Sequence, residues 1–241
     1  VVKSAFWLHA NGLDVLQRFI SEKWTERVIS ADDTFEVFEH NPSIWSILYK
    51  RSFLLDNNIR FSETPGASFQ DIAWRVKVFA SAKRTFFTKR PFYHYRRDNV
   101  NASVRVDGKL FCVCDEYDEA ERFLSSHREW EGKYRYLIPF LKWGHYTWNC
   151  FDRWLSLGSR WKFYQRMQED LLCYEKSGLL KREFWRQSQW MRLQSMLNDS
   201  RQFFFDQCVL DWQRDVILHG FSALLDMAPR LAVYGAGKGG R

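Results

Sequence analysis

The sequence predicts an α/β layer followed by a mainly α-helical module. Two observations lead there. Up to residue 104, helix-like and strand-like stretches alternate, as a layered unit of sheet and helices requires. Beyond "DNVNASVRVDG" (98–108), apolar residues recur at the i, i+3, i+4 spacing of amphipathic helices almost to the end. Composition is compatible: 46% of the 241 residues are hydrophobic and 18% aromatic, with twelve Trp and twenty-one Phe, ample for a core.

Taken in order, "SAFWLHANGLDVLQRFI" (4–20) has helical spacing, and "TFEVF" (34–38) alternates like a strand. "SIWSILYKRSFLLDNN" (43–58) reads as one amphipathic helix, with Ser43 as its cap and Ile44, Ile47, Leu48 and Leu55 on one face. "FSETPGAS" is a loop by its Pro-Gly and small polar residues. "FQDIAWRVKVFASA" (69–82) is helical. "RTFFT" (84–88) and "FYHYR" (92–96) read as two aromatic-rich strands. Helices are then expected near 109–126, 132–156, 160–177, 181–197 and 203–226, with breaks at Gly or Ser. Pro229 closes the module before a last apolar stretch.

No run approaches the length of a membrane-spanning helix. The net charge of +7 and pI near 9.2 favour anionic partners. The five cysteines, Cys112, Cys114, Cys150, Cys173 and Cys208, are scattered without zinc-finger spacing, so zinc is not expected, and buried thiols in a reducing compartment are. The chain ends "LAVYGAGKGGR", where Gly235, Gly237 and Gly240 satisfy G-x-G-x-x-G. That motif binds dinucleotides only within a βαβ unit followed by an acidic residue. The expectation is therefore the start of a truncated Rossmann-like domain, in a chain that is an internal piece of a longer protein. A dinucleotide-dependent oxidoreductase would need that acid further on.

The stretch 41–103 carries the chemistry. "PSIWSILYKRSFL", "IRFSETPGASFQDIAW" and "FYHYRRDNVNAS", in this order and spacing, resemble the second half of family 2 glycosyltransferases of the GT-A fold, above all bacterial surface-polysaccharide enzymes. The resemblance covers about sixty residues well, and the helical region is similar to C-terminal extensions of some members. It implies three parts: the acceptor-side half of a GT-A domain over 1–104, a helical extension over 105–229, and the truncated domain over 230–241. It also implies an inverting transfer of sugar from a nucleotide sugar to a glycan or lipid-linked glycan acceptor, on the cytoplasmic side of a membrane. The isolated chain is expected to be inactive.

Asp71 matches the catalytic aspartate of the family's Glu-Asp pair, with Gln70 where Glu is common. An acidic residue at a helix start is equally a helix N-cap. His94 and Arg96 share a strand face by period two and, on the resemblance, lie near the donor diphosphate; a solvated strand face is the plain alternative. Trp45 and Trp74 offer an acceptor platform or core packing. Asp32 and Asp33 in "ADDTF" follow too short an apolar run, and lie too near Asp71, to be the family's metal-binding Asp-x-Asp. The Mg²⁺ or Mn²⁺ that the resemblance implies is thus expected to be held mainly upstream of residue 1, with no metal ligands in this chain. The basic and aromatic residues of "GSRWKFYQRM" and "KREFWRQSQWMRL" suit helices packed on one another or an anionic membrane surface. No nucleic-acid recognition motif is visible. The alternative function is a non-catalytic helical interaction module with a degenerate α/β part.

Overall fold

The computed structural model describes residues 1–10, 12–17, 21–39, 43–63, 69–97, 110–152 and 156–227. The boundary near 104, most of the "FSETPGAS" loop and the glycine-rich end lie outside them. A mixed five-stranded sheet forms the first part. Its strands are β1 (Val2–Ala10), β2 (Leu13–Gln17), β3 (Val28–Ile29), β4 (Ile47–Leu48) and β5 (Thr85–Arg96). The order is β2-β1-β5-β3, with β4 antiparallel to the start of β1 and β5 parallel to it.

The first 17 residues are thus a β-hairpin, not the helix their spacing suggests. Ala10 pairs with Leu13 across a tight turn, where Gly12 takes a φ of +77° open to glycine. Asn-Gly between apolar runs is a hairpin signal that the helical spacing masked. β1 is a central strand whose residues 3–6 are all buried, so the alternation that marks a half-exposed strand is missing.

"TFEVF" fails in the opposite direction. Glu36–Glu39 is one helical turn, α1, in which the successive residues Val37 and Phe38 are both fully buried. The Glu36 carboxylate anchors that turn by accepting from the Ser21 amide at 3.0 Å and the Trp24 indole at 2.9 Å.

The helix expected over 43–58 is split into a 3-10 turn (Ile44–Ser46), the short β4, and α2 (Arg51–Asp56). Ser43 caps nothing with its side chain. Its hydroxyl instead accepts from Lys3 Nζ at 2.7 Å, and that ammonium also reaches Ser46 Oγ at 3.1 Å. Lys3 is 1% exposed; burial, then the Arg75 charge, lower its pKa to about 7. A buried ammonium recruits every nearby oxygen it can, and that demand outweighs helix propensity here.

Helix α3 (Gln70–Ser81) forms as expected, and every residue from Ile72 to Ser81 is buried. It lies between the sheet and the helical part, which explains its near-continuous apolar character. The two strands expected at 84–88 and 92–96 are one strand, β5. Pro91 sits within it opposite Ala5, where the register with β1 shifts. Proline has no N–H for the ladder, so pairing there is irregular rather than broken.

The helical part consists of α4 (Cys112–Ser125), α5 (Arg128–Tyr134), α6 (Leu137–Thr147), α7 (Leu157–Lys176), α8 (Gln187–Asn198) and α9 (Ser200–Met227). The expected 132–156 helix is thus the end of α5, a break, α6 and a π-helical turn at Trp148–Asp152. A 3-10 turn, Arg182–Phe184, replaces the start of the 181–197 helix. Ser156 caps α7 by accepting from the Ser159 amide. The five cysteines are free thiols; Cys114 and Cys150 are buried as expected, whereas Cys173 is exposed. One hydrophobic core runs from Ile29 and Phe38 through α3 and α4 to Tyr164 and Phe203, so sheet and helices share their interior.

Candidate functional site: a cavity between sheet and helices

That shared packing leaves a cavity of about 670 Å³ at the end of the sheet. Its walls come from distant parts of the chain. β1 supplies Phe6 and Leu8, the end of β5 supplies Tyr95 and Arg96, and the start of α3 supplies Asp71, Ile72 and Arg75. Leu141, His145 and Trp148 reach it from α6 and the π turn, and Arg186 and Gln189 from the start of α8. A π-helical turn within a helix is frequent at functional sites, because it redirects side chains.

Asp71 stands half-buried in the first turn of α3. It is not the cap residue: Phe69 holds that position, in a left-handed conformation with φ of 60°. Burial pushes the Asp71 carboxyl above the ordinary aspartate range, against Arg75 and the amides of residues 71 and 72, which pull it down. Its basicity is therefore raised, whereas a cap position alone would lower it.

Arg75 lies one helical turn from Asp71 and is 3% exposed. Burial lowers its pKa, opposed by Tyr117, Asp71 and Glu39. Tyr117 is itself fully buried, and its hydroxyl lies 2.5 Å from His145 Nδ1. Burial and the Arg75 charge lower the His145 pKa to about 3, which leaves the imidazole neutral at physiological pH. Glu39 is the cavity's second acid. Its carboxylate is 3.6 Å from Arg186, and burial raises its pKa despite that arginine.

Of the residues singled out from sequence, Asp71, Arg96 and Trp45 meet at this cavity. Trp45 stacks on Tyr95 with ring centroids 4.6 Å apart and 11° between planes, and meets Phe6 edge-on at 4.4 Å. His94 is not among the cavity walls: it stacks on Trp7 and lies 3.8 Å from Asp14. Trp74 is 7% exposed and stacks on Phe61 at 4.0 Å, on the core side of α3. Gln70 donates to the Ser62 carbonyl at 3.2 Å. Asp33 closes a turn by accepting from the Ser30 amide at 2.8 Å, and Asp32 accepts from Lys133 at 3.0 Å.

Sequence reasoning missed Glu39, Arg75, His145, Arg186 and Arg97, all cavity residues. Arg75 carried a signal, since positions i and i+4 share a helix face. The others reach the cavity only through folding.

The cavity can take up a proton at Asp71 and place guanidinium charge beside it, with an aromatic shelf alongside. It does not fit a divalent cation. It offers only two acids among the described residues, and each has an arginine beside it, Arg75 for Asp71 and Arg186 for Glu39. Among the described residues, no group of three or more His, Cys, Asp or Glu could hold a metal ion, and no helix is long and apolar enough to cross a membrane. Compared with known proteins, the chain matches no protein-family model, no curated protein and no solved structure.

Proposed function

We propose that the chain is the acceptor-side part of an inverting glycosyltransferase, as the resemblance in residues 41–103 implies. The observation that carries this reading is the position of Asp71: a half-buried carboxylate with raised basicity, on the wall of a cavity that also holds Arg96 and Trp45.

In this reading the acceptor hydroxyl oxygen bonds to the anomeric carbon as the bond from that carbon to the diphosphate breaks. Asp71 takes the hydroxyl proton, and the diphosphate leaves with the electron pair. Arg96 offsets the charge that develops on the diphosphate, a role its planar donors suit. The Trp45–Tyr95 stack is the surface on which an apolar sugar face rests. His94 and Trp74 lie away from this cavity and take no part in it.

The test uses the full-length protein and a labelled nucleotide sugar. Asp71→Asn is expected to lower transfer about 100- to 10,000-fold, the usual worth of a general base. Unchanged transfer removes Asp71 as the base. It would favour the second reading, a non-catalytic interaction module, which takes support from exposed apolar side chains on α9: Phe205, Leu210, Trp212 and Ile217.

A further inference from the structure

His145 is placed on the cavity by the helical part of the chain. The direction of its hydrogen bonds follows from its neighbours. The buried guanidinium of Arg75 acts electrostatically on the Tyr117 hydroxyl. A guanidinium has only donors, so it offers the hydroxyl proton no place to bond. The hydroxyl proton then needs an acceptor, because a buried donor left unmade is costly. His145 Nδ1, 2.5 Å away, is that acceptor. The same nitrogen is 3.3 Å from the Leu141 carbonyl, a longer and weaker contact that would require Nδ1 to carry a proton.

If Nδ1 accepts, the ring's one proton is on Nε2. That nitrogen bonds to nothing among the described residues and is not sealed in the interior. Its ring lines the cavity, so the free N–H serves whatever occupies it.

We propose that His145 is a neutral, Nε2-protonated donor to a ligand oxygen in the cavity, held in that tautomer by the buried Tyr117 hydroxyl. The charged groups around it are Asp71 and Arg75 from α3, Arg96 from β5 with Arg97 just beyond it, and Glu39 and Arg186 across the cavity. The surplus of guanidinium makes an anionic oxygen, such as that of a diphosphate, the ligand chemistry that fits. Only the identity of the ligand rests on the glycosyl-transfer reading. Tyr117 is a positioning residue, acting through the ring.

The test is a long-range proton–nitrogen spectrum of the imidazoles, with His145 assigned through His145→Gln. The expected result is a protonated Nε2 and a bare Nδ1, unchanged from pH 5 to pH 8. Inorganic pyrophosphate should shift the Nε2 signal. His145→Ala should weaken pyrophosphate binding about tenfold, while His145→Gln, which keeps an N–H, should stay within about threefold. Tyr117→Phe should move the Nδ1 signal and mix the tautomers.

A proton on Nδ1, or a titration within that pH range, overturns the lock. The expected tautomer with no response to pyrophosphate, and equal affinity in His145→Ala, overturns the ligand contact. Failure of the transferase reading shows elsewhere, as unchanged transfer in Asp71→Asn, and leaves these spectra as they are.

Discussion

Two charge clusters lie on either side of α6, each around a buried cation, built from the same residue types with opposite outcomes. At the cavity, Asp71 and Glu39 face arginines, yet burial keeps both carboxyls above their ordinary range. On the far side, Lys142 is 2% exposed and reaches Asp170 at 3.0 Å, Asp118 at 3.4 Å and Glu121 at 3.5 Å. Burial works to lower the Lys142 pKa, but Glu121, Asp170 and Asp118 together outweigh it and raise it. Asp170 shows the mirror image: burial raises its pKa, and Lys142, Tyr146 and Arg166 pull it lower overall.

The difference lies in completeness. Around Lys142, Tyr174 and Tyr146 fill the remaining hydrogen-bond sites, with Tyr174 also donating to Glu121 and Tyr146 to Asp170. A buried ion is tolerated when every oxygen and proton around it is matched. At the cavity, matching is partial and the acids retain proton affinity. A closed cluster holds helices together, whereas an open one has chemistry left to do.

Removing one member should therefore act in opposite directions. The largest effect is expected for Lys142→Met, which removes the cation that Asp170, Asp118 and Glu121 share: a loss of about 3 kcal/mol in urea unfolding. A loss below about 1 kcal/mol would mean that the cluster is already open.

Glu116 comes next. It lies on α4 beneath the start of α3, is 2% exposed, and burial raises its carboxyl to about 7. Its folded pKa is above its unfolded value of 4.5, so its favourable contribution is complete below pH 4.5 and is lost as pH rises through 7. Glu116→Gln should remove that slope, with a relative gain on the order of 2 kcal/mol at pH 8 over pH 4. Parallel pH profiles for the two proteins would contradict the raised pKa.

Asp71 has the same sign and a smaller effect. Asp71→Asn should raise the unfolding midpoint modestly at neutral pH, and the gain should vanish as pH falls below the unfolded aspartate pKa. A variant that gains stability as it loses transfer is the pattern of a functional acid. A lower midpoint would instead make Asp71 a structural partner of Arg75. The smallest change is expected for Arg122→Ala. Its side chain lies largely in water, and Glu119, its partner at 2.6 Å, keeps Lys77, so stability should stay within about 0.5 kcal/mol in a melt.

How much was legible in advance follows from how each segment is buried. Helices α4 and α7 present one apolar face to the core and the other to water, so their period is written in the sequence. β1 is buried on both faces over residues 3–6, and α3 almost all round, so the contrast that distinguishes strand from helix fades. α3 was still readable through its length. β1 was not, although Asn11-Gly12 marked its hairpin. The 43–58 stretch has a helical pattern and lost it to Lys3, a residue far upstream in the chain.

The candidate site divides along the same line. The sequence by itself determined the helix over 70–81 with Asp71 in its first turn, the aromatic strand ending at Arg96, and a helical second part, because local periodicity and local residue chemistry encode these features. Tertiary structure alone decided that Trp45 faces the cavity while Trp74 faces the core, and that Glu39, His145 and Arg186 converge on Asp71. Side-chain direction and proton affinity depend on what packs against a group and how much water remains. Those neighbours come from remote parts of the chain, and only the folded core brings them together.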